Sequence, residues 1–171
     1  PLITNSYGAY LAGRVAHIRK DFDKASYFYQ IAYEKDKNNP ELINKLYLLL
    51  TSSGKIDKAI TYAKQIIELN NKNDFAHMVV ATAQLKNQNF KESLNTSQKL
   101  NEPLYKSLIL PIMSAWNYAG LGNETMAITE LNKIKDNDGL GNLYKTQKAF
   151  ILDYLGKNRE ALKAYEEDLR D

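Results

Sequence analysis

The residues that could do chemistry in this chain are few, and their spacing does not assemble a catalytic site. The two histidines, His17 and His77, are 60 positions apart, and there is no cysteine. A metal site or a nucleophile–base pair needs convergent groups, so no joint role is predicted for the histidines. The acidic pair Glu166 and Glu167 is close to lysines and is typical of solvated surface rather than of paired catalytic carboxylates. The sequence therefore predicts a protein that is not an enzyme and that uses no cofactor or metal.

Two glycine-containing GLGN segments, at positions 120–123 and 139–142, resemble phosphate-binding loops only superficially. A phosphate loop follows a strand and carries further glycines, or a lysine followed by serine or threonine. Neither accompaniment is present, so we interpret both segments as helix stops.

The elements that position these residues are set by a period of 34 residues. Small side chains recur at this spacing at Ala25, Ala59, Ser93, Ala127 and Ala161. A fixed period of this size predicts an array of stacked helical hairpins. The predicted units are an N-terminal leader at 1–5 and repeats at 6–39, 40–73, 74–107, 108–141 and 142–171, the last two degenerate and the last also truncated. Apolar residues spaced three and four apart predict two amphipathic helices in each repeat, ten in all.

Several positions within the repeat have a predicted structural role. The recurrent small residue is expected where the two helices of a hairpin cross closely. Glycines at the fifteenth repeat position, such as Gly54, are expected to end the first helix, and Phe22 and Tyr29 to fill the core. Tyr47 breaks a second small-residue position without an evident compensating change. Pro111 is tolerated if its helix begins near Leu108, so that the proline lies in the first turn.

The run from Asp21 to Pro40, DFDKASYFYQIAYEKDKNNP, resembles the second helix and exit turn of a tetratricopeptide repeat (TPR). The resemblance covers residues 6–171, and the opening SYGAYLAGR is similar to bacterial repeat proteins of unassigned function. The sequence departs from the family where Lys37 and Asn71 replace the usual proline, and where Lys148 and Asp168 occupy normally apolar places. The resemblance implies an all-α fold, a right-handed α-solenoid of about five stacked helix-turn-helix repeats.

The same resemblance implies a function and a site. It implies a non-catalytic scaffold that binds a peptide or an amphipathic helix of a partner protein in a concave groove lined by the first helix of each repeat. The groove residues it implies are Tyr7, Tyr10, Arg14, His17, Asn44, Leu48, Phe75, Met78, Thr82, Ile112, Trp116 and Phe150. Trp116 is favoured as the anchor, although aromatic residues at helical spacing commonly fill a core instead.

Two other classes of partner were weighed. The family members that bind acidic chaperone tails use lysine, asparagine and arginine at places held here by Tyr10 with Arg14 and by Asn44 with Leu48, so that clamp is missing. The alternative function is that of a helical-repeat protein binding single-stranded RNA, which needs a basic groove. The net charge is only +3, from 23 basic and 20 acidic residues. The groove register holds one arginine and no lysine, so a protein or peptide partner is favoured over nucleic acid.

The ends and the hydropathy of the chain give the remaining expectations. No unbroken apolar stretch approaches the length of a transmembrane helix, which predicts a soluble chain. Because the chain starts with Pro1, we expect a processed product or a fragment, so its compartment stays open between the cytoplasm and export. In the last helix, Leu162, Tyr165 and Leu169 have no following helix to cover them. Either further repeats follow in a longer chain, or this edge self-associates with another copy.

Overall fold

Ten α-helices, arranged as consecutive hairpins, follow one another along the chain. The computed structural model describes residues 5–137 and 139–168, and no β-strand occurs within them. The helices are α1 (Ser6–Ile18), α2 (Phe22–Lys35), α3 (Pro40–Ser52), α4 (Ile56–Leu69), α5 (Asp74–Lys86), α6 (Phe90–Ser97), α7 (Leu110–Gly120), α8 (Glu124–Asn132), α9 (Gly141–Tyr154) and α10 (Asn158–Asp168). The predicted all-α fold is thus confirmed. Residues 1–4 of the predicted leader and Leu169 are outside the described residues.

Short polar side chains begin several of these helices. The side chain of Asn5 accepts a hydrogen bond from the Gly8 amide at 2.6 Å, and that of Asp21 accepts one from the Lys24 amide at 3.2 Å. Asn39 caps α3 in the same way, and Pro40 stands in the first turn of that helix, where a missing N–H costs nothing. These local signals set where each hairpin starts.

The turn inside each hairpin has one residue with a left-handed backbone. These residues occupy the fifteenth repeat position and are Lys20, Gly54, Gln88, Gly122 and Gly156, with φ of 59°, 69°, 59°, 72° and 73°. Glycine adopts this conformation without steric cost, whereas lysine and glutamine do not. The turn geometry therefore repeats even where the glycine does not.

The small residues that recur every 34 positions are enclosed. Ala25, Ala59, Ser93 and Ala127 are 0% exposed and Ala161 is 2% exposed. A larger side chain at any of them would meet the partner helix. The described residues form two compact units, one ending at Val80 and one beginning at Ala81. Tyr29, Leu46 and Tyr47 are central to the core of the first unit.

Ser93, the one polar member of the recurrent set, has a hydrogen-bonding reason to be buried. Its hydroxyl donates to the Ala81 carbonyl at 2.9 Å and accepts from the Asn117 side-chain amide at 3.0 Å. The same amide also donates to the Met113 carbonyl at 2.8 Å. Serine therefore links two hairpins of the second unit where alanine would leave Asn117 short of a partner.

The fourth repeat begins its first helix earlier than expected. Positions 103–104 are helical, and a π-helical turn at Tyr105–Ile109 leads directly into α7. Pro111 is the second residue of α7, and the Leu110 amide donates to the Tyr105 carbonyl five residues back. A π turn widens the helix where the regular bonding ladder is broken, and proline breaks it by lacking an N–H. The expected helix start near Leu108 is therefore wrong.

Among the described residues, no helix is both long and apolar enough to cross a bilayer.

Candidate functional site

The first unit contains an open cleft of about 510 Å³ between its helices. Its walls come from the end of α1, the start of α2, one side of α3 and the start of α5. The lining residues are His17, Phe22, Asn44, Lys45, Leu48, Leu49, Thr51, Ser52 and Phe75. The cleft thus combines apolar side chains with hydroxyl, amide and cationic groups, and none of its lining residues carries a carboxylate.

Four of the predicted groove residues meet in this cleft. They are His17, Asn44, Leu48 and Phe75, and they come from three different helices. The Leu48 side chain is 43% exposed although it is apolar. Exposed apolar side chains inside a concave surface are typical of binding sites rather than of a finished core.

Two cleft residues were not predicted as site residues, and a third contact was unexplained. Phe22 was expected to fill the core but is 43% exposed and lines the cleft, where its ring lies 5.9 Å from the His17 ring in an edge-on arrangement. Lys45 was missed because its repeat position does not face the groove in the family. The buried Tyr47 packs against Phe75, with the ring centroids 5.5 Å apart, so the large side chain at a normally small position supports the cleft wall.

A hydrogen-bonded cluster joins α1 to α3 beside the cleft. The Tyr10 hydroxyl donates to a Glu41 carboxylate oxygen at 2.5 Å, and the Lys45 ammonium lies 3.4 Å from the same oxygen. The bond from Tyr10 lowers the pKa of Glu41, with a smaller contribution from Lys45, and the same bond raises the pKa of Tyr10. The Lys45 ammonium also lies 5.6 Å from the centroid of the Tyr29 ring, so Lys45 is held on the cleft wall by both a carboxylate and an aromatic face.

Other predicted groove residues of the first unit lie outside this cleft. Tyr7 is 74% exposed on α1, and Arg14 is exposed on the same helix. Met78 is half-buried on α5. Thr82, on the same helix but within the second unit, is exposed.

Three predicted residues belong to the second unit. Ile112 and Trp116 on α7 are half-buried and pack against the core, so Trp116 is not sealed inside it. The Trp116 indole N–H donates to the Gln147 side chain at 2.7 Å, and its ring meets that of Tyr154 edge-on at 5.9 Å. Phe150 on α9 is 45% exposed and lies 6.0 Å from the Tyr165 ring. The indole N–H is thus already paired, which leaves the ring itself for apolar contact.

The titratable residues of the described chain show no cluster suited to a metal. No group of three or more histidine, cysteine, aspartate or glutamate side chains comes together within it. His77 is buried, and its Nε2 donates to the Asn71 carbonyl at 2.9 Å, which ties the ring to a loop. His17, by contrast, is exposed in the cleft and packs on aromatic rings. The two histidines therefore occupy unrelated places, one structural and one in the candidate site.

Comparison with known proteins identifies the fold. Neither a protein-family model nor a curated protein matches this sequence. Solved structures do match. A tetratricopeptide repeat protein from Parabacteroides merdae superposes with a TM-score of 0.75 at 17% identity over 96% of this chain, which spans 64% of that protein. MamA from Desulfovibrio magneticus gives a TM-score of 0.72 at 15% identity, with 99% of this chain and 96% of the other covered.

A thermophilic TPR protein from Thermus thermophilus gives a third match, with a TM-score of 0.61 at 16% identity. The match covers 96% of this chain and 90% of that protein. At these identities the comparisons speak to the fold alone.

Proposed function

Starting from a tetratricopeptide repeat fold, we propose that this protein is a non-catalytic scaffold that binds a peptide or an amphipathic helix of a partner protein. The cleft of the first unit is the proposed site. The observation that carries the proposal is the convergence of His17, Asn44, Leu48 and Phe75 on one open cleft with Phe22 exposed in its wall. Helical peptides commonly bind by laying apolar side chains in such a groove.

The chemistry of the lining favours binding over catalysis. The cleft offers one imidazole and one ammonium, and no nucleophile is paired with a base there. Asn44 and Thr51 can hydrogen-bond a peptide backbone, while Leu48 and Phe75 supply apolar contact. Trp116 and Phe150 of the second unit are proposed as further apolar contacts, each with part of its ring exposed.

A displayed library of random peptides tests this proposal. Peptides retained by the wild type are measured against Leu48→Asp, which places a charge in the cleft at a side chain that is 43% exposed and so leaves the fold intact. We expect at least about a tenfold loss of affinity, since a desolvated charge opposes apolar contact by more than about 1.4 kcal/mol.

The matched control is Leu162→Asp, the same change at an exposed leucine on α10. It should alter affinity by less than about twofold. Equal binding by wild type and Leu48→Asp, with unchanged far-ultraviolet circular dichroism, would show that the cleft is not the binding site. Trp116→Ala tests the contribution of the second unit in the same assay.

Self-association through α10 is the remaining part of the proposal. Leu162 on this helix is 60% exposed and Tyr165 is half-buried, whereas Leu169 is outside the described residues. Sedimentation over a range of concentrations tests it, and a species that stays monomeric throughout would exclude it.

A further inference from the structure

A second apolar surface lies on α1, on the side that faces away from its hairpin partner. Leu11, Val15 and Ile18 are 45%, 49% and 75% exposed. Their spacing of four and three places them on one side of the helix, opposite the buried Ala9 and Ala16. We call these three residues the α1 face. Within the described part of the chain, no other element covers it.

Corresponding residues elsewhere in the chain are packing residues. One period of 34 residues on from Leu11 and Val15 are Lys45 and Leu49 of α3. The Lys45 ammonium lies over the Tyr29 ring of the preceding hairpin, and Leu49 is 4% exposed. The same face of α3 is therefore packed in the core of the first unit.

The second unit repeats this arrangement. The residues of α9 that correspond to the α1 face are Gln147, Ile151 and Tyr154. Gln147 accepts the hydrogen bond from Trp116 on α7, the Tyr154 ring contacts the same indole, and Ile151 is 0% exposed. In both units this face packs against a preceding helix, so its geometry suits a helical occupant.

The charges around the α1 face specify the chemistry of that occupant. Helix α1 contains no aspartate or glutamate, and Arg14 and Arg19 stand at opposite edges of the face. Neither guanidinium forms an ion pair within the described chain. The nearby carboxylates are already engaged, Asp21 with Lys24 at 2.7 Å and Asp23 with Lys55. The face is therefore apolar with positive edges.

A cavity beside this face provides a seat for a large apolar side chain. It measures about 440 Å³, and its wall includes Ala12, Val15, Phe28, Arg19, Asp21 and Lys24. The apolar part of this wall is continuous with the α1 face through Val15. A leucine or phenylalanine entering the cavity would bring residues one turn away toward the arginines.

We infer that the α1 face docks an acidic amphipathic helix of a partner protein. Its apolar stripe packs on Leu11, Val15 and Ile18, and carboxylates on its flanks pair with Arg14 and Arg19. A second copy of α1 is disfavoured as occupant because symmetric pairing would bring like charges together. This site is separate from the cleft, so it stands whether or not the cleft binds a peptide.

The test is selection from a displayed library of amphipathic helices of about 18 residues, long enough to form several turns. The library keeps leucine, isoleucine, valine or phenylalanine in the stripe and carries glutamate, lysine or glutamine equally at the flanking positions. Clones retained by the wild type and lost with Val15→Asp define binding to the α1 face. Among them we expect glutamate to exceed lysine by about fivefold, the effect of a few exposed ion pairs.

Two further variants sharpen the result. Arg14→Glu combined with Arg19→Glu should reverse the preference, so that lysine exceeds glutamate. Leu48→Asp, in the cleft, should leave the selected clones bound, which separates this site from the proposed function.

Four results would overturn the inference. The first is that no clone distinguishes the wild type from Val15→Asp, and the second is that glutamate is not enriched among those that do. The third is a concentration-dependent dimer that Val15→Asp abolishes, which would make a second copy the occupant. The fourth is binding to anionic phospholipid vesicles that Val15→Asp abolishes when no acidic helix is selected, which would make the face a membrane contact.

Discussion

Two residues hold a left-handed backbone without being glycine. Lys20 and Gln88 each have φ of 59°, at turns where other repeats use Gly54, Gly122 and Gly156. A side chain at this backbone conformation costs about 1–2 kcal/mol, because its Cβ crowds the following carbonyl. These two turns therefore store strain that the other three avoid.

We predict that Lys20→Gly and Gln88→Gly each stabilise the protein. The relief of strain exceeds the greater freedom of glycine in the unfolded chain, leaving a gain of about 0.5–1 kcal/mol in the free energy of unfolding. Urea denaturation measures it. The reverse change Gly54→Ala is the control and should cost about 1 kcal/mol, although no atom lies within 4 Å of the added Cβ. A loss of stability in both glycine variants would contradict the argument.

The Tyr10–Glu41 bond gives stability a pH dependence at both ends of the range. The pKa of Glu41 is lowered in the folded state, so its contribution is present above the pKa of an ordinary glutamate and is lost as the pH falls through the lowered value. The pKa of Tyr10 is raised, so its contribution is present below the pKa of an ordinary tyrosine and is lost as the pH rises through the raised value.

Glu41→Gln is therefore predicted to flatten the acid side of the stability curve, and Tyr10→Phe the alkaline side. Because the pair is largely exposed, the effect of each is about 0.2–1 kcal/mol at neutral pH. Urea unfolding at a series of pH values measures it, with the exposed Glu92→Gln as the matched control. Curves for Glu41→Gln that run parallel to the wild type through the acid range would refute the role of this bond.

At the scale of the elements, α6 and α7 approach so closely that only glycine fits at one point. A Cβ added to Gly120, the last residue of α7, would lie 2.2 Å from the ring of Phe90, the first residue of α6. Phe90 was expected as a core filler, but nothing in the sequence linked it to a glycine 30 positions away. The pairing of a large with a small residue is visible only once the helices are placed.

We predict that Gly120→Ala destabilises the second unit by about 1–3 kcal/mol through overpacking. Phe90→Leu shortens the side chain that the new methyl group meets, so the double variant should lose less than the sum of the two single changes. Thermal denaturation of the four proteins measures the coupling. Gly141→Ala is the control because no atom lies within 4 Å of its Cβ, and its effect should stay within about 0.5 kcal/mol. Strict additivity would mean that the two residues do not interact.

The π turn before Pro111 shows an element that sequence patterns describe poorly. Proline marks a helix start or a helix break, and the two readings differ by the few residues at Tyr105–Ile109. Apolar spacing predicts one helix here, but the choice between a regular and a wide turn depends on packing of the whole segment. The period of 34 residues thus locates the helix while missing its first turns.

At the scale of the whole molecule, the repeated pattern carried most of the fold. Ala25 and its counterparts identified the paired helices because a close helix crossing tolerates only small side chains. The candidate site was less accessible. The positions of His17, Asn44 and Leu48 follow from helix register, but the exposure of Phe22 and the reach of Lys45 across Tyr29 depend on which neighbours pack beside them. Single-residue patterns do not contain that information.

The chain contains a single tryptophan, and it is placed where α7 meets α9. Indole emission shifts to longer wavelength as the ring gains water contact and changes intensity when a hydrogen bond to its nitrogen is lost. Trp116 is therefore a built-in optical reporter of the second unit, while the first unit is silent at wavelengths that excite only indole. Fluorescence and circular dichroism recorded on the same sample would follow the two halves of this chain separately, without any added dye.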